Sequence, residues 1–269
     1  LKYEELVGFR PYDGNKIEVR SVPSYPGGWA VAGNPIKWYQ IYIKEELTRI
    51  NNDDDWSFGI LHEISHDFDH HSWNFYGEHF ANFNMVYVLE ELNGKVRQWN
   101  RYFIGAEAKD IQKIIYDSRV EEYNSAGNDE NYRDGITYRL IDIKDSIGWL
   151  PFKKTFRNFV ETGFEGTIPE KYEAFLDFLS RFSGKDVRKY LPKKDRDLFL
   201  QSLSRTNVPN SPDNYHIAER NCNTVKLKWD YTSSDIISLV VERRTANTWF
   251  TPVDTIYYLP YTCKIQRFV

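Results

Sequence analysis

An α+β fold is predicted by three observations: a β-rich, loop-rich stretch over residues 1–43, a mostly helical stretch over residues 44–205, and strand-like alternation from residue 215 to the end. The first two form one domain, residues 1–205. Residues 206–214 read as a linker, because Asn207, Pro209, Asn210, Ser211, Pro212 and Asn214 crowd together there. Residues 215–269 are a small β-strand module. Within the N-terminal part, Lys16-Ile17-Glu18-Val19-Arg20 alternates as a strand should, and Pro23, Pro26, Gly27 and Gly28 end it. From Trp29 to Ile43 the sequence predicts one or two short strands around Asn34-Pro35.

Helical periodicity follows. Ile60, Leu61, Ile64 and Phe68 recur at helical spacing, and Asn51, Asn52, Asp53, Asp54 and Asp55 ahead of them are expected to cap that helix. A second helix carries Phe80, Phe83, Tyr87 and Val88 as one apolar stripe and stops at Asn93-Gly94. Further helical patterns run over residues 106–123, 136–147, 151–160, 172–182 and 186–190, with a polar loop at 125–134. In the C-terminal module Thr224-Val225-Lys226-Leu227-Lys228-Trp229 alternates strictly, and residues 237–243 and 261–268 are strand-like.

The chemistry concentrates on the first helix. Five of the six histidines, His62, His66, His70, His71 and His79, fall within eighteen residues. His62-Glu63-Ile64-Ser65-His66 is an H-E-x-x-H run, whose two histidines lie about 40° apart around a helix and share one face. Two imidazoles so placed can bind one Zn²⁺, and Glu63 can act as general base on a water beside it. A catalytic zinc takes three protein ligands and leaves a fourth position open. Glu78, in the first turn of the second helix, is the candidate third ligand. Asn82, one turn on, is placed to hydrogen-bond a ligand histidine. The rivals for the third position are His70, His71, His79, Asp67 and Asp69. His79 follows Glu78 directly and so points about 100° away from it. The H-E-x-x-H-x-x-G-x-x-H pattern is absent, and His216 is given no role.

Composition limits the partners. Net charge is −4, with no basic run, which argues against nucleic acid. No apolar run is long enough to span a membrane. Aromatic residues make up 16% of the chain, a content that suits both core packing and stacking on sugars. Trp73, Tyr76, Arg133 and Asp134 are weighed as sugar contacts against ordinary packing and a loop ion pair. Cys222 and Cys263, the only cysteines, either bridge or stay free thiols. The chain opens on Leu1 without a leader-like segment and reads as a piece of something longer. A monomer is expected.

Taken with its surroundings, the motif resembles the M60-like, enhancin-type zinc metallopeptidases of the gluzincin group. Here the signature is His62-Glu63-Ile64-Ser65-His66, eleven intervening residues, then Glu78. Gly28-Trp29-Ala30 to Asn34-Pro35-Ile36, Glu78-His79-Phe80-Ala81-Asn82 and Ser146-Ile147-Gly148-Trp149-Leu150-Pro151-Phe152-Lys153-Lys154 are similar to further segments of that family. Leu61 stands where many members carry Trp. The likeness covers roughly residues 15–200 and implies one catalytic Zn²⁺ on His62, His66 and Glu78, with Glu63 as the base. It also implies a secreted or cell-surface enzyme that cleaves mucin-like, O-glycosylated proteins. Two other readings remain: a catalytically idle glycan- or protein-binding module with a zinc site, and a gluzincin peptidase with no glycan requirement. In such peptidases the strand before the motif helix forms the upper edge of the cleft, here residues 29–32 or 38–42. The C-terminal strands resemble part of a fibronectin type III module, too short for the full seven strands.

Overall fold

The structure, a computed structural model, describes residues 2–23 and 30–204, and after them the backbones of five strands between residues 213 and 268. It is mixed α+β and mostly helical, with small sheets. The chain divides into two compact units, residues 1–206 and 207–269.

The first unit is organised around one helix. Helix α1 (Lys2–Val7), α2 (Gln40–Asp53), α3 (Phe58–His66) and α4 (Gly77–Leu92) come first, and α4 packs against α1 and α3. Instead of one apolar stripe, α4 buries ten consecutive or near-consecutive residues from His79 to Leu89, so it is enclosed nearly all round. Phe80, Phe83, Met85, Val86 and Tyr87 are fully inaccessible, and Trp73, Phe75, Phe152, Phe156 and Phe175 complete an aromatic core around them. Helices α5 (Ala108–Ala126) and α6 (Ile136–Ile147) cover α4 as well. Helices α7 (Trp149–Thr162), α8 (Ile168–Ser183) and α9 (Lys193–Ser204) follow. The helix over residues 186–190 is a single 3-10 turn, Val187–Tyr190.

Two small sheets flank the helices. Strands β1 (Val19–Val22), β2 (Ala30–Val31) and β3 (Ile36–Tyr39) form a sheet in which β3 is central, parallel to β1 and antiparallel to β2. The segment 38–42 is therefore half strand and half helix, since α2 begins at Gln40. Strands β4 (Trp56–Ser57), β5 (Lys95–Gln98) and β6 (Arg101–Ile104) form the other, and the β5–β6 hairpin turns on Trp99 and Asn100, both at positive φ. A second, smaller core of Ile36, Trp38, Ile43 and Ile60 joins the first sheet to α2 and α3.

The expected cap of the motif helix also fails. Residues 51–55 do not cap the motif helix; they close the helix before it. The pattern from Gln40 continues to Asp53, and Asp54 adopts a left-handed C-cap at φ 49°. Asp55 is buried, where Arg97, Arg49 and the Tyr102 hydroxyl hold its carboxylate. The cap position of α3 falls to Ser57, whose hydroxyl makes no capping bond and whose backbone N–H donates to Glu46 Oε1 at 2.8 Å.

In the second unit β8 (Val225–Asp230) pairs antiparallel with β7 (Asp213–Arg220) and β11 (Arg267–Phe268), and β9 (Ser238–Arg243) pairs with β10 (Thr251–Tyr257). Cys222, Cys263 and Trp29 lie outside the described residues.

Candidate metal centre

Helices α3 and α4 cross with Ser65 between them, fully buried, its hydroxyl 3.5 Å from the Phe80 carbonyl. The small side chain lets the helices approach and brings Glu78 over the face of α3 that carries His62 and His66. The two Nε2 atoms are 3.1 Å apart. Glu78 Oε2 lies 3.2 Å from His62 Nε2, and Glu78 Oε1 lies 3.6 Å from His66 Nε2. Among the described residues, these three form the one group of histidine, cysteine and acidic side chains whose donor atoms converge, all within 4.8 Å.

The far side of each ring is also held. His62 Nδ1 is 2.9 Å from Asn82 Oδ1, the contact expected from helical spacing. His66 Nδ1 is 3.3 Å from Asp69 Oδ2, which also accepts from Asn74 Nδ2 at 3.2 Å. Asp69 is thus brought to the back of a candidate ligand and not to the cluster. That role was hidden in the sequence, because it depends on the chain turning back after α3. With an acceptor at each Nδ1, each ring in its neutral form carries its proton there and turns Nε2 toward its neighbour and toward a carboxylate.

Such a set suits a cation. Tetrahedral zinc with ligands near 2.1 Å separates them by about 3.4 Å, close to the 3.1, 3.2 and 3.6 Å seen here. Without a metal, a proton takes its place: burial opposes charge on His66, but Asp69 and Glu78 outweigh it and lift its pKa to about 10. The same imidazoles hold the Glu78 carboxyl well below the usual carboxylate range. Burial pushes the Asp69 carboxyl up to about 6.

Glu63 sits beside the group. Burial raises its pKa, while the two histidines and the nearby Ala32 backbone N–H pull it back.

The remaining candidates go elsewhere. His79 is buried against Phe75 and Phe80, with Nδ1 2.9 Å from Thr137 Oγ1, and burial lowers its pKa to about 3. His70 bonds Ser72 Oγ at 2.8 Å, and the His71 carbonyl accepts from Lys171 Nζ. Asp67 Oδ1 accepts from Tyr12 and from Gly33. Trp73 is fully buried, which removes it as a sugar contact. The Tyr76 hydroxyl donates to Asp134 at 2.8 Å, beneath the Arg133 guanidinium, and Arg119 pairs with Asp134, so this set is packing and an ion pair.

A cleft of about 430 Å³ that includes none of the three converging residues opens beside the N-terminal end of α3. Tyr42 and Trp99, both half-exposed, line it with Trp38, Glu46, Gly59 and Arg97. No sequence pattern pointed to it, because α2, α3 and the β5–β6 hairpin meet only in the fold.

A family model described as Peptidase M60, enhancin and enhancin-like matches residues 14–193, a span that contains every residue of the centre. No match was found among curated proteins or solved structures.

Proposed function

Because the chain belongs to the M60 family of enhancin and enhancin-like peptidases, we propose that it is a zinc-dependent endopeptidase acting on O-glycosylated, mucin-like proteins. The observation that carries the proposal is the convergence of His62, His66 and Glu78, with Glu63 alongside. A histidine pair and a glutamate from two successive helices is the ligand set of a gluzincin-type domain.

His62, His66 and Glu78 would hold one Zn²⁺, which when bound supplies a Lewis acid that activates water and steadies negative charge on the scissile carbonyl. Glu63 removes the proton of the attacking water and delivers it to the leaving amine. Burial favours this by making the carboxylate a stronger base than one in water. Asn82 and Asp69 keep the two rings in the tautomer that offers Nε2. A structural zinc would have four protein ligands and no use for Glu63, which disfavours an idle binding module.

The glycoprotein part rests on the resemblance, and the cleft beside α3 supports it. Half-exposed Tyr42 and Trp99 present ring faces, and Arg97, Gln98 and Asn100 present polar groups. We assign the reaction to the first unit, and we keep for residues 215–269 the reading of a small β module similar to part of a fibronectin type III domain. Secretion or display at a cell surface fits this substrate; no helix among the described residues is long and apolar enough to cross a membrane.

The test is mass spectrometry of an O-glycoprotein digested beside its deglycosylated twin, with and without chelator. Chelator-sensitive cuts next to glycosylated Ser or Thr, absent from the twin, are expected. Equal cutting of both would remove the glycan requirement, and no cutting of either would remove the peptidase.

A further inference from the structure

The segment after β2 is docked on the motif helix through the Gly33 backbone N–H, which donates to Asp67 Oδ1 at 2.8 Å. The preceding Ala32 N–H lies near enough to the Glu63 carboxylate to lower its pKa. Glu63 and Asp67 are four apart and share a face of the helix turn. In a regular strand successive N–H groups point to opposite sides. Gly33 breaks that alternation with φ at 123°, a conformation that only glycine adopts freely.

A second donor meets the same atom. The Tyr12 hydroxyl reaches Asp67 Oδ1 at 2.8 Å from a turn in which Tyr12 itself is left-handed, at φ 54°. Holding a non-glycine residue there costs conformational energy. Asp67 is also an unusual residue for its position. It is the C-cap of α3, where the helix dipole disfavours negative charge, and it is buried to 7% exposure, where a carboxylate loses its hydration. Its Oδ2 is buried without a hydrogen-bond partner among the described residues. As a mere helix stop, Asp67 is a poor choice. As an anchor for two donors from separate segments, it is a suitable one.

We propose that Asp67 is a positioning residue of the site: by accepting the Gly33 N–H and the Tyr12 hydroxyl, it holds residues 30–33 against the motif helix beside Glu63. This rests on the reading of Glu63 as the base. It extends the site to two residues, Tyr12 and Gly33, that lie far from the motif in sequence.

The experiment compares the full-length zinc-loaded chain with Asp67→Ala, Asp67→Asn and Tyr12→Phe. Three readouts are taken: residue-resolved amide exchange, zinc content, and kcat and KM. Asp67→Ala is expected to speed exchange at Gly33 about tenfold, the effect of losing one hydrogen bond. Zinc content should stay at the wild-type level, and kcat should fall by roughly 10²-fold with a smaller change in KM. Asp67→Asn keeps an oxygen that can accept both bonds and should restore most of kcat and of the exchange protection. Tyr12→Phe should fall between the two. If Asp67→Ala does not fold, Asp67→Asn and Tyr12→Phe still decide the matter. Unchanged exchange at Gly33, loss of zinc, or an Asn variant as slow as the Ala variant would overturn the proposal. The exchange readout stands even if the wild-type chain cleaves nothing, so a failed anchor and a failed peptidase assignment give different results.

Discussion

His62 Nε2 and His66 Nε2 lie 3.1 Å apart, each with its opposite nitrogen held by an acceptor, Asn82 Oδ1 or Asp69 Oδ2. With both rings neutral, two lone pairs would face each other, with the Glu78 carboxylate beside them. Repulsion among three acceptors is relieved by a cation, and the consequences can be measured.

The first consequence concerns metal affinity. Glu78→Ala removes one of three ligands and should sharply lower zinc occupancy. Asn82→Ala and Asp69→Ala, which release the rings, should weaken binding by about 10- to 100-fold. Competition with a chromogenic chelator measures all three. Full occupancy in Glu78→Ala would place the third ligand elsewhere.

The second concerns pH. In the metal-free chain, Asp69 and Glu78 outweigh the cost of burial and raise His66 to about 10, above its ordinary 6.5. A raised pKa means the protonated ring favours the folded state, fully below about pH 6.5 and progressively less as pH rises through about 10. Glu78, depressed by the same imidazoles, contributes in the other sense: its share is present above its ordinary pKa of 4.5 and fades as pH falls through the depressed value. The melting temperature of the metal-free chain should thus fall from pH 7 to pH 10, and zinc should remove that fall. Zinc binding at pH 8 should release a proton, seen as a dependence of the calorimetric heat on buffer ionisation enthalpy. A heat independent of buffer would contradict the protonated His66.

The third concerns the cleft beside α3. Trp99 is half-exposed at the hairpin turn and belongs to neither core among the described residues. Trp99→Ala should leave the fold and the zinc content intact while raising KM for a glycosylated substrate several-fold. A bare peptide of the same sequence, if cleaved at all, should be unaffected. An equal rise for both would remove the sugar role.

The fourth concerns the core. Trp73 and Phe80 are fully buried, their rings 4.6 Å apart. Replacing either by Ala should cost about 3–5 kcal/mol, read from denaturant unfolding. Trp73→Phe should lower stability less and leave kcat unchanged, since the indole cannot reach a substrate.

How much of this was legible in the sequence follows the range of each interaction. His62 and His66 are local to one helix turn, and Glu78 and Asn82 share a face of the next helix, so periodicity made each pair legible, while the choice of Glu78 over its rivals leaned on the family resemblance. The acidic run 51–55 misled because capping residues end helices as readily as they begin them, and α2 extends to Asp53 before β4 intervenes. The second helix looked amphipathic because only its large apolar residues were counted, whereas Asn84 and His79 are buried too. Asp69 behind His66, the Asp67 anchor and the cleft at Trp99 depend on segments that meet only in three dimensions. No spacing rule reaches from Tyr12 to Asp67.

The central claim is that Glu63 is the proton carrier of a zinc peptidase, and Glu63→Gln tests it most directly. Zinc content and single-turnover cleavage of an O-glycoprotein should be measured on the same preparation beside wild type. The account predicts equal zinc and a rate lower by about 10²- to 10⁴-fold. A variant that binds zinc fully and cleaves at a near wild-type rate would contradict it.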